Sequence, residues 1–492
     1  MSLINVQNLT FGYYGASKNV FENVSFAIDT DWKTGFVGRN GRGKTTFLNL
    51  LTGKYEYSGK ISANVKFTYF PFALKDESGL VQDVLGQVCP MAEEWEILRE
   101  FSYLDLSPEI PYREYASLSS GEKTKALLAG LFLNDGEFLL IDEPTNHLDS
   151  AARKTVAEYL RGKKSFLLVS HDRAFLDGCV DHILSVNRSN IEVQSGNFSS
   201  WYENFERQQA YENAQNERLK KDIARLGEAA KRAAAWSDKT ERTKYGKNDS
   251  GLKSDRGYVG HKSAKMMKRA KSAEARAQKG MEQKAGLLKN AETVQKLKLG
   301  PLEYRAERVL GLYGVEIAYG NVKACGPVDL ELMRGERVAL CGKNGCGKSS
   351  LLKLVIGEDV PHTGTFALSS GVKISYVPQT HESVFGKISD FARTHGIDES
   401  LFRAVLDKMG FSIADCGEDL AACSPGQKKK LLIAKSLCEK AHLYIWDEPL
   451  NYLDIYARMQ IEELILEFCP TMIFVEHDEA FVCAAATRRI TL

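Results

Sequence analysis

The sequence predicts an α/β protein made of two similar domains in tandem, each around a largely parallel sheet, joined by a long α-helical hairpin. Three observations carry this. The same landmarks occur twice at a nearly constant offset: Lys44 and Lys348 stand 304 apart, Ser119 and Ser424 305, Asp142 and Asp447 305, and His171 and His477 306. Such regularity marks an internal repeat. In each copy an apolar run, Gly35-Phe36-Val37 or Val338-Ala339-Leu340, precedes a glycine loop and a helical pattern, the order of a strand, loop and helix in a parallel α/β sheet. Between the copies, Glu217 to Lys298 carries 23 Lys and Arg against 10 Asp and Glu, and no proline. The expected domains are therefore residues 1–200, a basic helical linker at 201–305, and residues 306–492.

The bulk numbers narrow the class. A chain of 492 residues is too long for one core, and 43% hydrophobic residues suffice for two. No window approaches the roughly 18 to 20 apolar residues of a membrane span, and Met1 to Thr10 lacks a signal-peptide pattern. A cytoplasmic protein with no membrane partner is expected. The ten cysteines show no C-x-x-C spacing, so all are expected to be reduced. The net charge is +1, yet the linker segment alone holds +13. The remainder is acidic, so a polyanionic partner is expected to meet the linker.

The first glycine loop, residues 38–45, reads G-R-N-G-R-G-K-T, and the second, 342–349, reads G-K-N-G-C-G-K-S. Both fit G-x-x-x-x-G-K-[ST]. The glycines let backbone N–H groups curl around phosphates at a helix N-terminus. Gly38, Asn40, Gly41, Gly43, Lys44, Thr45 and Thr46 thus form one candidate ATP-binding set. Gly342, Asn344, Gly345, Gly347, Lys348, Ser349 and Ser350 form the other. Lys44 and Lys348 are expected at the β/γ-phosphates, and Thr45 and Ser349 at Mg²⁺. One match could be a chance turn; two in the same context are not.

Phe138 to Glu143 and Leu443 to Glu448 are apolar strands ending in paired carboxylates. Asp142 and Asp447 are placed to serve Mg²⁺, and Glu143 and Glu448 to polarise the attacking water. Each pair runs on into P-[TL]-N-x-L-D, at Pro144 to Asp149 and Pro449 to Asp454.

These motifs, with Ser119-Ser120-Gly121-Glu122 and Ser424-Pro425-Gly426-Gln427, resemble the ATP-binding cassette family. The resemblance implies two ATP-binding cassette domains in tandem, arranged head to tail, each loop closing on the other's signature. Site one would join Gly38–Thr45 to Ser424–Gln427, and site two Gly342–Ser349 to Ser119–Glu122. It further implies that His171 and His477, each before an Asp, contact the γ-phosphate. Alone, such a His-Asp pair reads as a capping or core histidine; the matched offset reverses that reading. Tyr13 and Tyr319 occupy the place of the adenine-stacking aromatic, with an ordinary strand aromatic as the alternative. Gln379 fits the family's glutamine loop as a Mg²⁺ ligand, whereas the first copy has Phe72, which can neither ligate a metal nor order a water. Pro425 and Cys423 also depart from the usual signature. Phe72 and the altered signature both fall at site one, so slower turnover is expected there.

In the linker, Trp201 to about Thr240 reads as one helix, with Leu219, Ile223 and Leu226 on one face. A second runs from about Ala264 to Leu297, with Ala273, Ala277, Met281 and Leu288 on one face. At about 1.5 Å per residue each spans roughly 50 to 60 Å, and two such stripes fit an antiparallel hairpin. Its tip, 239–262, is interrupted by Gly246, Gly251, Gly257 and Gly260. There Lys244, Lys247, Lys253, Arg256, His261 and Lys262 mix with Tyr245 and Tyr258. Cations meet phosphates and aromatics stack on unpaired bases, which suits structured RNA better than a merely solvated helix surface.

The whole chain resembles the ABC-F family of ribosome-associated ATPases. Trp236-Ser237, the tip, Met267-Lys268-Arg269 and Trp446 to Asp454 look most like its Lsa-type antibiotic-resistance branch. That resemblance implies an ATP hydrolase using ATP and Mg²⁺, a monomer off the ribosome. It would bind rRNA of the large bacterial subunit beside the P-site tRNA, from the tRNA exit site. There it would displace lincosamides, pleuromutilins and streptogramins A. A housekeeping ABC-F factor relieving stalled ribosomes is the alternative, and the ATPase subunit of a drug exporter a more distant one.

Overall fold

The computed structural model describes residues 2–15, 19–134, 136–146, 148–186, 191–242, 296–320, 322–411 and 419–492, with 261, 265, 268 and 272. The chain forms two compact units, Met1–Trp201 with Val294–Leu492, and Tyr202–Thr293.

In the first repeat β1 (Leu3–Phe11) and β2 (Phe21–Asp29) lead into β3 (Lys33–Gly38) and helix α1 (Lys44–Leu51). Then come β4 (Ser58–Ser62), β5 (Lys66–Phe70), α2 (Val81–Val88), α3 (Glu94–Tyr103) and α4 (Ser120–Leu131). The repeat closes with β6 (Glu137–Asp142), α5 (Ser150–Arg161), β7 (Phe166–Val169), α6 (Arg173–Cys179), β8 (His182–Val186) and β9 (Ile191–Ser195). The main sheet runs β5-β6-β7-β3-β8-β9, parallel except for β9, and a small antiparallel sheet runs β2-β1-β4. Strands β6 and β7 are buried through their apolar residues, the continuous pattern of a sheet covered on both faces.

Helix α7 (Phe198–Arg242) follows, 45 residues against the expected span from Trp201 to about Thr240. Residues 261, 265, 268 and 272 are helical. Of the expected tip residues, His261 is described; Lys244, Tyr245, Lys247, Lys253, Arg256, Tyr258 and Lys262 lie outside the described residues. The second linker helix was expected to reach Leu297, but Lys296 to Gly300 is non-helical. Leu297 and Leu299 are buried in a core of the second repeat. Alternating Leu with exposed Lys puts both apolar side chains on one face of an extended segment.

The second repeat runs β10 (Arg308–Tyr319), β11 (Val322–Met333), β12 (Arg337–Cys341), α8 (Lys348–Ile356), β13 (His362–Leu368) and β14 (Ile374–Val377). It continues with α9 (Ile388–Thr394), α10 (Glu399–Lys408), α11 (Pro425–Cys438), β15 (Leu443–Asp447), α12 (Ile455–Phe468), β16 (Met472–Val475), α13 (Glu479–Ala485) and β17 (Arg488–Thr491). Its main sheet, β14-β15-β16-β12-β17, is parallel throughout, beside the antiparallel β11-β10-β13.

The repeated sequence makes repeated caps. Asp149 accepts from Ala152 N at 2.8 Å and Asp454 from Ala457 N at 2.9 Å. Ser119 with Glu122 and Ser424 with Gln427 form capping boxes, each such cap worth about 1 kcal/mol. Buried Arg153–Asp172 (2.9 Å) and Arg458–Asp478 (3.1 Å) pairs hold the histidine segments against α5 and α12. Cysteines 89, 179, 325, 341, 346, 438, 469 and 483 are free thiols, but Cys423 is disulfide-bonded, contrary to the all-reduced expectation. Pairing depends on Cβ proximity, which sequence spacing does not reveal.

Candidate nucleotide sites shared by the two repeats

Strands β3, β7 and β6 are neighbours, so the glycine loop, the His171 segment and Asp142-Glu143 all leave the same carboxyl edge of the sheet. This is where α/β sheets take ligands. Gly43, at φ 87°, caps α1, a left-handed turn that points the helix's free N–H groups into the loop. The Lys44 ammonium donates to Gly38 O at 2.8 Å and Arg39 O at 3.3 Å, lying across its own loop. Thr45 Oγ1 donates to Asp142 Oδ2 at 2.9 Å, and the Tyr69 hydroxyl to the same oxygen at 3.0 Å. Tyr13 is half-exposed with its hydroxyl 2.8 Å from Thr46 Oγ1. Tyr13, Gly43, Lys44, Thr45, Thr46 and Asp142 line a cavity of about 300 Å³ with Asn40, Gly41, Glu143 and His171.

The second loop repeats the plan. Gly347, at φ 86°, caps α8; Lys348 Nζ donates to Gly342 O and Lys343 O, both at 2.9 Å. Ser349 hydrogen-bonds Asp447, and the Tyr319 hydroxyl lies 3.2 Å from Ser350 Oγ. A larger cavity, about 610 Å³, is lined by Asn344, Gly345, Gly347, Lys348, Ser349 and Ser350. Gln379, Glu448 and His477 line it too, and so does Ser120 from the first repeat. Ser119 and Glu122 are tied into the cap that presents Ser120. Tyr319, Ser119, Gly121 and Glu122 do not line this cavity.

Each carboxylate pair sits at a kink. Glu143 and Glu448 adopt left-handed backbone, φ 51° and 47°, a conformation costly for a non-glycine residue. It is held by Glu143 N to Val169 O (2.9 Å) and Glu448 N to Val475 O (3.0 Å). The two glutamates are shifted in opposite directions. Burial and the neighbouring Asp142 push Glu143 up to about 7. For Glu448 burial acts the same way, but His477, a Gln379 hydrogen bond and Lys429 outweigh it and hold the carboxyl at about 2. His171 Nε2 lies 3.3 Å from Glu143 Oε1 and 3.1 Å from Asn40 Oδ1, and burial with Lys44 nearby holds it well below its usual range. His477 Nε2 is 3.7 Å from Glu448 Oε1. Phe72 instead packs edge-on against Phe70 at 6.1 Å.

The residues present fit a magnesium nucleotide. Hydroxyl and carboxylate oxygens are the hard donors Mg²⁺ takes, with phosphates completing its shell. Asp447 Oδ1 is buried without a hydrogen-bond partner, an acceptor oriented for a cation.

The repeats meet across these sites. Asn40 N donates to Asp454 Oδ2 at 3.2 Å and Asn40 Nδ2 to Tyr452 O at 2.8 Å. Gly426 lies against the same spot: a Cβ there would stand 2.6 Å from Tyr452 O and 3.4 Å from Asn40 Nδ2. Ser424 and Gln427 cap that helix turn. Asn146, Leu148 and Arg153 of the first repeat reach the second cavity, which Asn451 and Tyr452 also line. Sequence reading singled out P-[TL]-N-x-L-D without giving it a role, although the repetition was the signal.

Two nucleotide loops in a tandem repeat, each facing the other half, define a twin-cassette ATPase. The profile described as ABC transporter matches residues 21–146 and 325–451, more than half of the chain. The chain belongs to the ABC transporter family, and within it is an ABC-F ATP-binding protein that hydrolyses ATP. It is 26% identical over 480 residues to ribosome protection protein VmlR of Bacillus subtilis, covering 96% of this chain and 83% of that one. It is 28% identical over 495 residues to ATP-binding protein Uup of Caulobacter vibrioides, covering 97% and 75%. The fold matches archaeal ribosome recycling factor aABCE1, solved with ribosomal stalk protein aP1, at TM-score 0.63 and 19% identity over 98% and 87% of the chains. Among the described residues no helix is long and apolar enough to cross a membrane.

Proposed function

We propose that this ATPase binds the bacterial ribosome in its ATP-loaded form, protects the peptidyl-transferase centre from lincosamides, pleuromutilins and streptogramins A, and leaves after hydrolysis. The observation that carries this reading is the +13 segment, Glu217 to Lys298, set between two cassettes. The likeness over nearly the whole chain to a ribosome protection protein supports it. Phosphate-rich RNA is the partner such a segment attracts, and large-subunit rRNA with P-site tRNA is the one proposed. The protein would act in the cytoplasm, as a monomer off the ribosome.

At each site Lys44 or Lys348 swings from its loop carbonyls to the β/γ-phosphates of ATP, while backbone N–H groups hold the α/β-phosphates. Thr45 with Asp142, and Ser349 with Asp447 and Gln379, would hold Mg²⁺. A bound Mg²⁺ supplies charge neutralisation along the phosphates. Glu143 and Glu448 orient the attacking water and accept its proton; His171 and His477 face the γ-phosphate. Ser119–Glu122 and Ser424–Gln427 close the opposite sites, and Tyr13 and Tyr319 stack on adenine. ATP moves the equilibrium towards the closed form only through its tighter binding there.

Site one is the slower of the two. Phe72 supplies no ligand, and Pro425 alters the closing signature. Glu448→Gln is therefore expected to remove about tenfold more steady-state phosphate release than Glu143→Gln. Equal losses would remove the asymmetry.

The function is tested by pelleting ribosomes with the double Glu143→Gln, Glu448→Gln protein and ATP, and by drug susceptibility of a sensitive host expressing the wild type. Co-sedimentation with inhibitory concentrations raised about fourfold or more is expected, since binding must out-compete drug by mass action. Failure to co-sediment would end the ribosomal reading. Co-sedimentation without a rise would favour the housekeeping role.

A further inference from the structure

The two halves differ at a buried point that the phosphate-loop and carboxylate motifs do not cover. One turn beyond Gly426, Lys429 lies inside the second cassette, 1% exposed. Its ammonium donates to Pro378 O at 2.8 Å, Asp447 O at 3.1 Å and Gln379 O at 3.4 Å. These carbonyls belong to the glutamine loop and to the strand end that carries Glu448. The anions within its electrostatic reach are Glu476, Asp447 and Glu448. Glu476 is itself buried, accepting from Leu450 N at 2.7 Å and His477 N at 2.9 Å.

By the repeat offset the first cassette has Thr124 and Ser170 at these places. Among the described residues, Thr124 Oγ1 donates back to Ser120 O in its own helix, at 2.9 Å. Ser170 Oγ accepts from Asp172 N at 3.2 Å and lies 3.4 Å from Thr145 Oγ1. A buried lysine is expensive unless its donors and charge are met, and here three carbonyls and a second introduced charge meet them. The substitution is a built device in one half only.

Helix α11 thereby has two ends of a connection. Its first turn, at Gly426, lies against Asn40 of the first loop and Tyr452 O. Its second turn, at Lys429, grips the parts of the second site that hold Gln379 and Glu448. We propose that Lys429 is a positioning residue that couples the two ATP sites, passing the seating of α11 on the first loop to the alignment of Gln379 and Glu448 at the second. The coupling rests on the reading that each loop binds ATP against the opposite signature. Packed helices shift as units between discrete arrangements, and three hydrogen bonds from one ammonium make the glutamine loop and the strand end follow α11.

The test uses the full chain. Lys429→Met keeps length and removes the donors; Lys429→Thr with Glu476→Ser copies the first cassette's pair; Lys429→Arg keeps donors and charge. For each, kcat and KM for ATP are measured with and without Glu143→Gln, which holds ATP at site one. With Lys429 present, Glu143→Gln should change site-two kcat by about fivefold or more, a coupling of ordinary allosteric size. In Lys429→Met and in the double variant that factor should fall to within about twofold of one, with KM nearly unchanged because Lys429 touches no nucleotide. Lys429→Arg should restore part of it. An unchanged factor in both variants, or none in the parent, overturns the proposal. Loss of folding in both would mark Lys429 as a stability residue and overturn it too. Stoichiometry of ATP bound by the Glu143→Gln, Glu448→Gln protein is measured separately: fewer than two would overturn the two-site reading itself, not the link between the sites.

Discussion

Replacing both glutamates, Glu143→Gln and Glu448→Gln, is expected to leave two ATP molecules bound and to slow phosphate release by about 100-fold or more, the usual range for loss of a general base. Each glutamate is fixed by a left-handed backbone and by a hydrogen bond from its own N–H to the neighbouring strand. The amide has the shape to stay in that position. Asn451 Nδ2 donates to Glu448 Oε2 at 2.6 Å, and a glutamine carbonyl can accept the same bond. What the amide cannot do is take a proton. Phosphate release at saturating ATP, with bound nucleotide counted after rapid gel filtration, checks both halves of the expectation; fast release would show that another group is the base.

The second large effect is expected from Gly347→Ala. Gly345 and Gly347 share left-handed φ values, 81° and 86°, but a Cβ on Gly345 meets nothing within 4 Å. A Cβ on Gly347 would stand 2.5 Å from both Ala324 O and Cys325 Cβ. Gly345→Ala should therefore cost only the left-handed backbone, about 1 kcal/mol. Gly347→Ala adds an overpacking cost of about 1 to 3 kcal/mol against backbone that cannot turn aside. ATP stoichiometry by equilibrium dialysis should fall from two to one for Gly347→Ala and stay at two for Gly345→Ala. At the first loop the neighbours of a Gly43 Cβ are side-chain atoms of Val20 and Phe21, which can shift, so Gly43→Ala should be milder.

Much of this was legible in the sequence because it is local. A glycine loop before a lysine, a strand ending in two acids, and a serine three residues before Glu or Gln fold the same way wherever they occur, and each appears twice. The contacts between halves were not legible. Nothing in Asn40 tells which carbonyl, more than 400 positions on, it will meet, and the opposite shifts of Glu143 and Glu448 arise from burial and neighbours brought by the fold. Lys429 sits inside a run of three lysines, and only the packing of α11 shows Lys429 and Lys430 buried while Lys428 is half-buried. The extended segment at Leu297 was readable, since Leu-Lys-Leu before Gly300 and Pro301 alternates with the period of a strand, whereas the helical expectation ran through Lys296 and Leu297.

The pairing of each loop with the opposite half has a consequence for how such a machine can change over time. Were the two halves identical chains in a symmetric dimer, any new side chain would appear in both active sites at once. Carried on one polypeptide, the halves are free to specialise. Phe72 against Gln379, Thr124 against Lys429 and Ser170 against Glu476 are single-copy differences of that kind. Under the proposed reading they divide the labour, so that one ATP acts as a latch and the other as the clock that opens it.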